Sequence, residues 1–279
     1  VSEWQVIEGD CLERLREFPD GSFDMVFTDP PYGHNNNNGD LIARREAALG
    51  KTPADPETEW RPIANDGPEA NDLFRAVLPE LRRVLQPGCC CCCCCCGGGG
   101  PDPQFARWSL WLDNAFAPNP ETQDAGGFKQ MVVWDKGPMG MGWHYRRSYE
   151  TVLVGEVPGA ACRWFDETHA VENIIRPGTA PKIIPSAEQH PTEKPWQLAA
   201  HFIALHTQPG DTVLDPFCGS GSTGVACMIL GRNFVGIELA PQYAEMARAR
   251  IARWHVKPKR TVQQEPEEQA RMEFEEVAG

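Results

Sequence analysis

No apolar run in this sequence reaches the roughly 18 residues that a membrane span requires, and the mean hydropathy is −0.43. The first ten residues, VSEWQVIEGD, lack the apolar centre of a signal peptide. A cytoplasmic protein with no membrane partner is the expectation. Positive charge is also scarce. Lys and Arg number 26 against 39 Asp and Glu, for a net charge of −13, which excludes a protein held on a polyanion by bulk electrostatics. Spaced cysteine pairs are missing too. Eight of the twelve cysteines are consecutive, Cys89 to Cys96, and the rest are Cys11, Cys162, Cys218 and Cys227. No pair among them is spaced like a zinc half-site, and neighbours in an extended run point to opposite faces. A disulfide scaffold would scatter its cysteines among loops. The run is therefore expected to be a buried strand of small apolar thiols, and no metal is expected. Finally, no GKS or GKT follows the glycine-rich segment Gly219–Ser220–Gly221, so that segment is not a Walker-type phosphate loop.

What is present reads as alternating strands and helices. The 279 residues, 41% of them hydrophobic, suit two units or one α/β domain with a large insertion. Trp4 to Ile7 reads as a short strand, CLERLREF as a helix, and Phe23 to Thr28 as a buried strand that runs into Asp29–Pro30–Pro31–Tyr32–Gly33. Two prolines forbid a continuing central strand, so a stiff loop follows its carboxyl end. His34 to about Pro68 is polar and broken, the length of a lid or binding loop. Asn71 to Leu85 has a helical apolar face, closed by Gln86–Pro87–Gly88 before the cysteine strand. Later come a helix over RWSLWLDNAF, strands over KQMVVWDK and Ser148 to Glu156, and a proline-rich stretch to about Pro191. A helix from Pro195 to His206 has Pro195 at its first position. Thr212 to Leu214 is a strand, Thr223 to Leu230 a helix, Phe234 to Ile237 a strand and Gln242 to Trp254 a helix. This alternation implies a parallel sheet covered on both faces, with ligands beyond the carboxyl ends of its strands.

Two strand ends carry unusual residues. Asp215–Pro216–Phe217–Cys218–Gly219–Ser220–Gly221–Ser222 joins a strand to a helix through glycines that permit a tight turn. About 17 residues further on, the next strand ends in Gly236–Ile237–Glu238, where a carboxylate can accept from the two hydroxyls of a ribose. Together they suggest a nucleoside-containing cofactor. At the other strand end, Asp29 and carbonyls around the prolines present acceptors beside the flat ring of Tyr32, an arrangement suited to a planar ligand bearing an amino group.

These pieces resemble the S-adenosylmethionine-dependent DNA amino-methyltransferases, which act on N6 of adenine or N4 of cytosine. The resemblance rests on Asp29–Pro30–Pro31–Tyr32, the Asp215 to Thr223 segment and Val235–Gly236–Ile237–Glu238–Leu239. Thr192–Glu193–Lys194–Pro195, GDCLERL at Gly9 to Leu15, and WDKGPMGMGWHYRRSYE at Trp134 to Glu150 extend it to most of the chain. The catalytic loop precedes the cofactor loop, as in the beta arrangement of that family. The resemblance implies a class I methyltransferase fold, Rossmann-like, with a seven-stranded mostly parallel sheet, one antiparallel strand and a circularly permuted motif order. Residues 1–100 and 192–257 would form the catalytic domain, 101–191 further core strands with a target-recognition insertion, and 258–279 an acidic tail. Homodimers are common in this arrangement, and a homodimer is expected.

The resemblance also assigns roles. Asp29 and the Pro30 carbonyl would accept the amino hydrogens of a flipped base, with Pro31 stiffening the loop and Tyr32 stacking on the ring. Glu238 would hold the ribose, with Leu239 beside it. Pro216, Phe217, Gly219, Ser220 and Gly221 would line the methionine part of S-adenosylmethionine, and Asp215 would meet its amino group. Asp10 would lie near the cofactor's adenine, and Lys194 near the methionine carboxylate or the catalytic face. The partner is double-stranded DNA, contacted through local basic surface: Arg146 and Arg147 beside Trp143 and His144, and the cluster from Arg248 to Arg260. Adenine N6 is the expected target and cytosine N4 the alternative; a catalytically silent DNA-binding module is the rival from another functional class.

Overall fold

A computed structural model describes residues 2–33, 65–95, 103–117, 126–137, 148–176 and 194–255. Arg146, Arg147, Thr192, Glu193, Cys96, most of the His34–Pro68 loop and the acidic tail lie outside the described residues.

Among the described residues, eight strands form one sheet: β1 (Trp4–Glu8), β2 (Phe23–Thr28), β3 (Leu85–Cys95), β4 (Gly127–Asp135), β5 (Tyr149–Glu156), β6 (Ile174–Ile175), β7 (Thr212–Asp215) and β8 (Asn233–Glu238). Their spatial order is β1-β8-β7-β2-β3-β5-β4-β6. Only β5 runs against the others, antiparallel to both β3 and β4. This is the expected class I fold with its single reversed strand. The additional edge strand β6 pairs two residues with Val133 and Trp134; two residues inside a proline-rich stretch carry no periodicity from which to read a strand. The permutation is visible in space, because β7 and β8, late in the chain, sit between β1 and β2.

Helices α1 (Cys11–Leu15), α2 (Ala70–Val84), α3 (Pro103–Phe116), α4 (Trp196–His206), α5 (Ser222–Leu230) and α6 (Pro241–His255) complete the described elements. Pro195 stands one place earlier than expected. Its ψ of 131° makes it the extended N-cap of α4 rather than its first helical residue. No helix among the described residues is long and apolar enough to cross a membrane.

The cysteine run forms most of β3, and its alternation divides the core. Cys89, Cys91 and Cys93 pack on the side of Phe74, Leu81, Trp108 and Leu112, and Cys90, Cys92 and Cys94 on the side of Leu198, Phe202, Ile203 and Val225. All six are buried and free. A central strand covered on both faces needs apolar side chains at every position, and a buried thiol meets that need. The strand begins with a kink. Register moves from Phe23↔Leu85 to Met25↔Cys90, and Gly88 there has φ 76° with the Ala161 carbonyl 2.4 Å from where a Cβ would stand.

Candidate active site

The loops at the carboxyl ends of neighbouring strands β2 and β7 carry the expected residues, and a buried hydrogen bond ties the two ends. Thr28 Oγ1 donates to Asp215 Oδ1 at 2.8 Å, while Thr223 Oγ1 at the start of α5 donates to Asp215 Oδ2 at 2.6 Å. The Phe217 amide also donates to Oδ1, at 3.1 Å. Asp215 was expected to meet the cofactor's amino group, but both its oxygens face inward to these donors, and the residue is 3% exposed. It braces the two loops against each other. Burial pushes its carboxyl up to about 6, against the opposing pull of the Thr223 and Thr28 hydroxyls.

A pH signature follows. The folded pKa lies above the ordinary 3.8, so the fold favours the protonated carboxyl; that stabilisation is full below about pH 4 and is lost as pH rises through about 6, a swing of about 3 kcal/mol. An Asp215→Asn variant removes the titration. Its unfolding free energy in urea, relative to the unsubstituted chain, should rise by up to this amount between about pH 4 and pH 7. A difference that stays flat with pH would remove Asp215 from the buried position described.

On the cofactor side, Gly219 and Gly221 adopt φ 50° and 83°. A Cβ on Gly221 would stand 3.0 Å from Ala247 Cβ. Gly221 is also the N-cap of α5 and supplies no side-chain cap, so the first amides of that helix are available to an anionic group. Glu238 ends β8, and its carboxylate accepts from the Gly219 amide at 2.8 Å and the Ala240 amide at 2.9 Å. Each carboxylate oxygen retains a further acceptor site for a ribose hydroxyl. Burial pushes the Glu238 carboxyl up, while those amides pull it back. Leu239 is 42% exposed beside it, an apolar surface next to a half-buried carboxylate, as a purine nucleoside requires. Asp10 caps α1 by accepting from the Leu12 amide at 2.8 Å, and it lies close by because Glu8 pairs with Glu238. Pro216 and Ser220 are buried, and Arg250 Nη1 donates to the Ser220 carbonyl and Oγ, at 2.8 and 2.6 Å. These groups fit S-adenosylmethionine.

Catalytic-loop geometry rests on a chain of charges. Lys194 Nζ lies 3.0 Å from Asp29 Oδ2 and 3.1 Å from Glu150 Oε2, and Lys136 Nζ lies 2.6 Å from Glu150 Oε1. Two carboxylates thus face two ammonium groups in a row that runs from half-buried Asp29 to exposed Lys136. Burial raises the Asp29 carboxyl, against the pull of Lys194 and the Tyr32 hydroxyl. Burial also works against the charge on Lys194, but Asp29 and Glu150 outweigh it and hold the ammonium protonated. At Glu150 burial is again the largest influence, and there Lys194 and Lys136 together outweigh it and lower the carboxyl. Lys194, expected near the methionine carboxylate or the catalytic face, lies beside Asp29.

The loop backbone is fixed separately. Asp66 Oδ1 accepts from the Tyr32 and Gly33 amides, both at 2.9 Å. The Tyr32 hydroxyl donates to Asp29 Oδ1, and Lys194 Nζ sits over the Tyr32 ring, 5.1 Å from its centroid. Tyr32 was expected to offer an open stacking face; instead its side chain is 7% exposed and packs near Trp108, with centroids 6.0 Å apart. Of the expected basic cluster, Arg248 donates to the Val6 carbonyl at 2.9 Å, and Arg250 holds Ser220, so both brace the fold rather than stand clear of it.

Sequence reasoning missed Glu150, Lys136 and Asp66. The signal for the first two was the neighbouring strand ends: Glu150 pairs in register with Trp134, two residues before Lys136. Asp66 gave none, because it reaches the loop across 34 residues.

Known proteins support the same reading. The sequence profile of a family described as DNA methylase matches residues 23–249. Type II methyltransferase M2.DpnII of Streptococcus pneumoniae is 24% identical over 269 residues, covering 88% of each chain. Type II methyltransferase M.HinfI of Haemophilus influenzae is 26% identical, over 88% of this chain and 67% of its own. Among solved structures, a protein of Thermus thermophilus described as a DNA modification methylase, complexed with S-adenosyl-L-methionine, superimposes with a TM-score of 0.62 at 22% identity, over 92% of this chain and 97% of its own. The cytosine-N4-specific PvuII DNA methyltransferase gives 0.61 at 17% identity, over 93% and 88%. With the permuted sheet, the Asp29 loop and the Glu238 pocket in place, the chain belongs to the DNA methylase family, the S-adenosylmethionine-dependent methyltransferases of exocyclic amino nitrogens in DNA.

Proposed function

We propose that this chain transfers a methyl group from S-adenosylmethionine to N6 of an adenine rotated out of double-stranded DNA. The observation that carries the reading is Asp29, a carboxylate at the head of Pro–Pro–Tyr, held at the end of β2 beside the cofactor loop. A base inside a duplex is out of reach of these side chains, so the nucleotide must enter the pocket by rotation. Asp29 and the Pro30 carbonyl then accept the two amino hydrogens. Those bonds draw the nitrogen out of conjugation with the ring and aim its lone pair at the methyl group. Bound S-adenosylmethionine supplies that methyl group on a positively charged sulfur, already activated for displacement. As the N–C bond forms and the C–S bond breaks, the sulfur keeps the electron pair and the amino nitrogen sheds one proton, for which Asp29 would be the hydrogen-bonded acceptor. The protein's contribution is position and electrostatics. Lys194 and Tyr32 are the present partners of Asp29, so base entry exchanges the Tyr32 hydroxyl for an amino hydrogen and moves Lys194 off the ring it covers. Tyr32 then stacks on the base.

DNA is held by local basic surface, with Arg146 and Arg147 the first phosphate contacts to test. The type II relatives suggest the modification half of a restriction–modification pair. Cytosine N4 is the second reading, favoured by the fold match to the PvuII enzyme. Expressing the chain in a methylation-deficient bacterium and analysing its DNA nucleosides by mass separates the two. N6-methyladenine supports the proposal, and N4-methylcytosine replaces the assigned base. Unmodified DNA, with a purified protein that binds DNA but does not consume the cofactor, would leave only a binding module.

A further inference from the structure

Away from the catalytic loop, the fold gathers two thiols and an imidazole that the methyl-transfer chemistry does not use. Cys90 lies in β3, Cys162 in the segment after β5, and His206 is the last residue of α4. Cys90 Sγ and Cys162 Sγ are 3.7 Å apart, and one ligand atom from each of the three residues lies within 4.8 Å of the others. Cys90 and His206 are buried, while Cys162 is exposed. A cavity of about 170 Å³ opens beside them, also lined by Lys129, His201 and Glu172.

We propose that Cys90, Cys162 and His206 bind a divalent zinc ion, with the fourth coordination position open to this cavity. Two sulfurs and one ring nitrogen form a donor set suited to zinc. Two thiolates on one tetrahedral ion with Zn–S bonds of about 2.3 Å stand about 3.8 Å apart, close to the separation here; a disulfide would need about 2.05 Å. Binding takes both sulfurs as thiolates, and the resulting neutral unit sits beside the Lys129–Glu156 pair, itself 3.4 Å apart and neutral in sum.

The three donors are held in place before any ion arrives. His206 Nδ1 is 3.0 Å from the Arg163 carbonyl oxygen, and the ring meets Trp164 edge-on with centroids 5.2 Å apart. Arg163, next to Cys162, is fixed by Asp24 and Asp211, each at 2.6 Å, and its amide donates to the Gly88 carbonyl at 3.0 Å. Ligand orientation set by such neighbours is typical of metal centres. The site is separate from the chemistry: Cys90 pairs with Met25, four residues before Asp29, or about 13 Å along the strand. The expectation of no metal came from spacing along the chain, whereas Cys90 and Cys162 are 72 residues apart and only folding brings them together. The run as a whole keeps its strand role, with Cys90 alone contributing to the site.

The test uses the full chain, purified reduced and metal-free. Titration with zinc should give near one equivalent per chain, and cobalt(II) in its place should give a thiolate-to-metal charge-transfer band. Zinc should also raise the thermal midpoint. Cys162→Ser changes an exposed side chain; it should keep the circular dichroism of the unsubstituted protein, lose the charge-transfer band, and weaken zinc by more than the roughly 10–100-fold that even an outer-shell change costs. No stoichiometric zinc in the unsubstituted chain overturns the proposal, a reading that needs no variant to fold. Full affinity in Cys162→Ser would place the ion elsewhere. A Cys90–Cys162 disulfide, seen by mass as the state formed in air while zinc is ignored, would make the pair a redox couple instead.

Discussion

Asp29→Ala should lower kcat for methyl transfer by about 10²–10³-fold, the cost of removing one preorganised electrostatic group from a reacting centre, while cofactor affinity changes by less than about threefold. Asp29 faces Tyr32 and Lys194, whereas the groups proposed to hold the cofactor are Glu238, the glycine turn and the start of α5. Lys194 keeps Glu150 as a counter-charge in the variant, so the folded site survives. Glu238→Ala should do the reverse. Losing a carboxylate that accepts charge-assisted hydrogen bonds costs about 1.5–3 kcal/mol each, and it also frees the Gly219 and Ala240 amides that shape the turn. Calorimetry with S-adenosylmethionine and single-turnover methyl transfer, run on both variants, separate the two losses. Full turnover in Asp29→Ala would end the assigned role, and a loss of cofactor binding as large as the loss of turnover would move Asp29 into the cofactor pocket. Because burial raises the Asp29 carboxyl, the turnover of the unsubstituted enzyme should also fall on acidification sooner than an exposed carboxylate would dictate.

Trp108→Ala should cost about 3–5 kcal/mol of stability, the range for truncating a large buried aromatic. The Trp108 side chain is fully buried, stacks on Phe74 with centroids 4.0 Å apart, and donates from its indole to Asn71 Oδ1 at 3.0 Å. It joins α3 to α2 on the face of the sheet that carries Cys91 and Cys93. Trp108→Phe keeps a ring against Phe74 but leaves Asn71 without its donor, so its cost should be smaller, about 1–2 kcal/mol. Urea unfolding measures both. Trp108→Ala should also loosen Tyr32, whose ring packs beside the indole, and so depress turnover at temperatures where the variant remains folded. A loss below about 1 kcal/mol would show that the cavity collapses around Ala and that the α2–α3 seam is held elsewhere.

Most of the sheet was legible because its strands are short apolar runs that end in conspicuous residues. Phe23 to Thr28 and Asp215 at the end of β7 stand where their patterns place them. The cysteine strand was legible for another reason: a Pro–Gly turn after an amphipathic helix leaves a central strand due, whatever its side chains. Ile174–Ile175 was not legible, since a two-residue bridge has no period. In the site, motif residues gave the loops but not their internal partners. Tyr32 reads as an exposed platform in a loop, yet its hydroxyl finds Asp29 and its ring finds Lys194 and Trp108. Asp215 reads as a ligand at a strand tip, yet two threonine hydroxyls, one 187 residues before it and one eight after, take its oxygens. Such pairings depend on which strands become neighbours, and a permuted order hides that from any local window.

The position of β7 and β8 between β1 and β2 also sets a timetable for synthesis. A nascent chain that has just produced β1 and β2 holds two strands that do not pair with each other, and the two strands that fill the gap between them are more than 180 residues away. At the usual elongation rate of about 5–20 residues per second, Trp4–Glu8 waits roughly 10 to 45 s for Asn233–Glu238 to emerge. Meanwhile β3 can pair with β2 and then β5, leaving an unfilled edge on β2 that β7 later closes. Long-range parallel pairing of this kind is slow to form and open to wrong partners while it waits. For this chain the interval has a chemical side as well. The thiols of β3 are sheltered only once α2, α3 and α4 have docked on both faces. Yield of correctly folded protein should therefore depend on a reducing environment during synthesis far more than the finished molecule does.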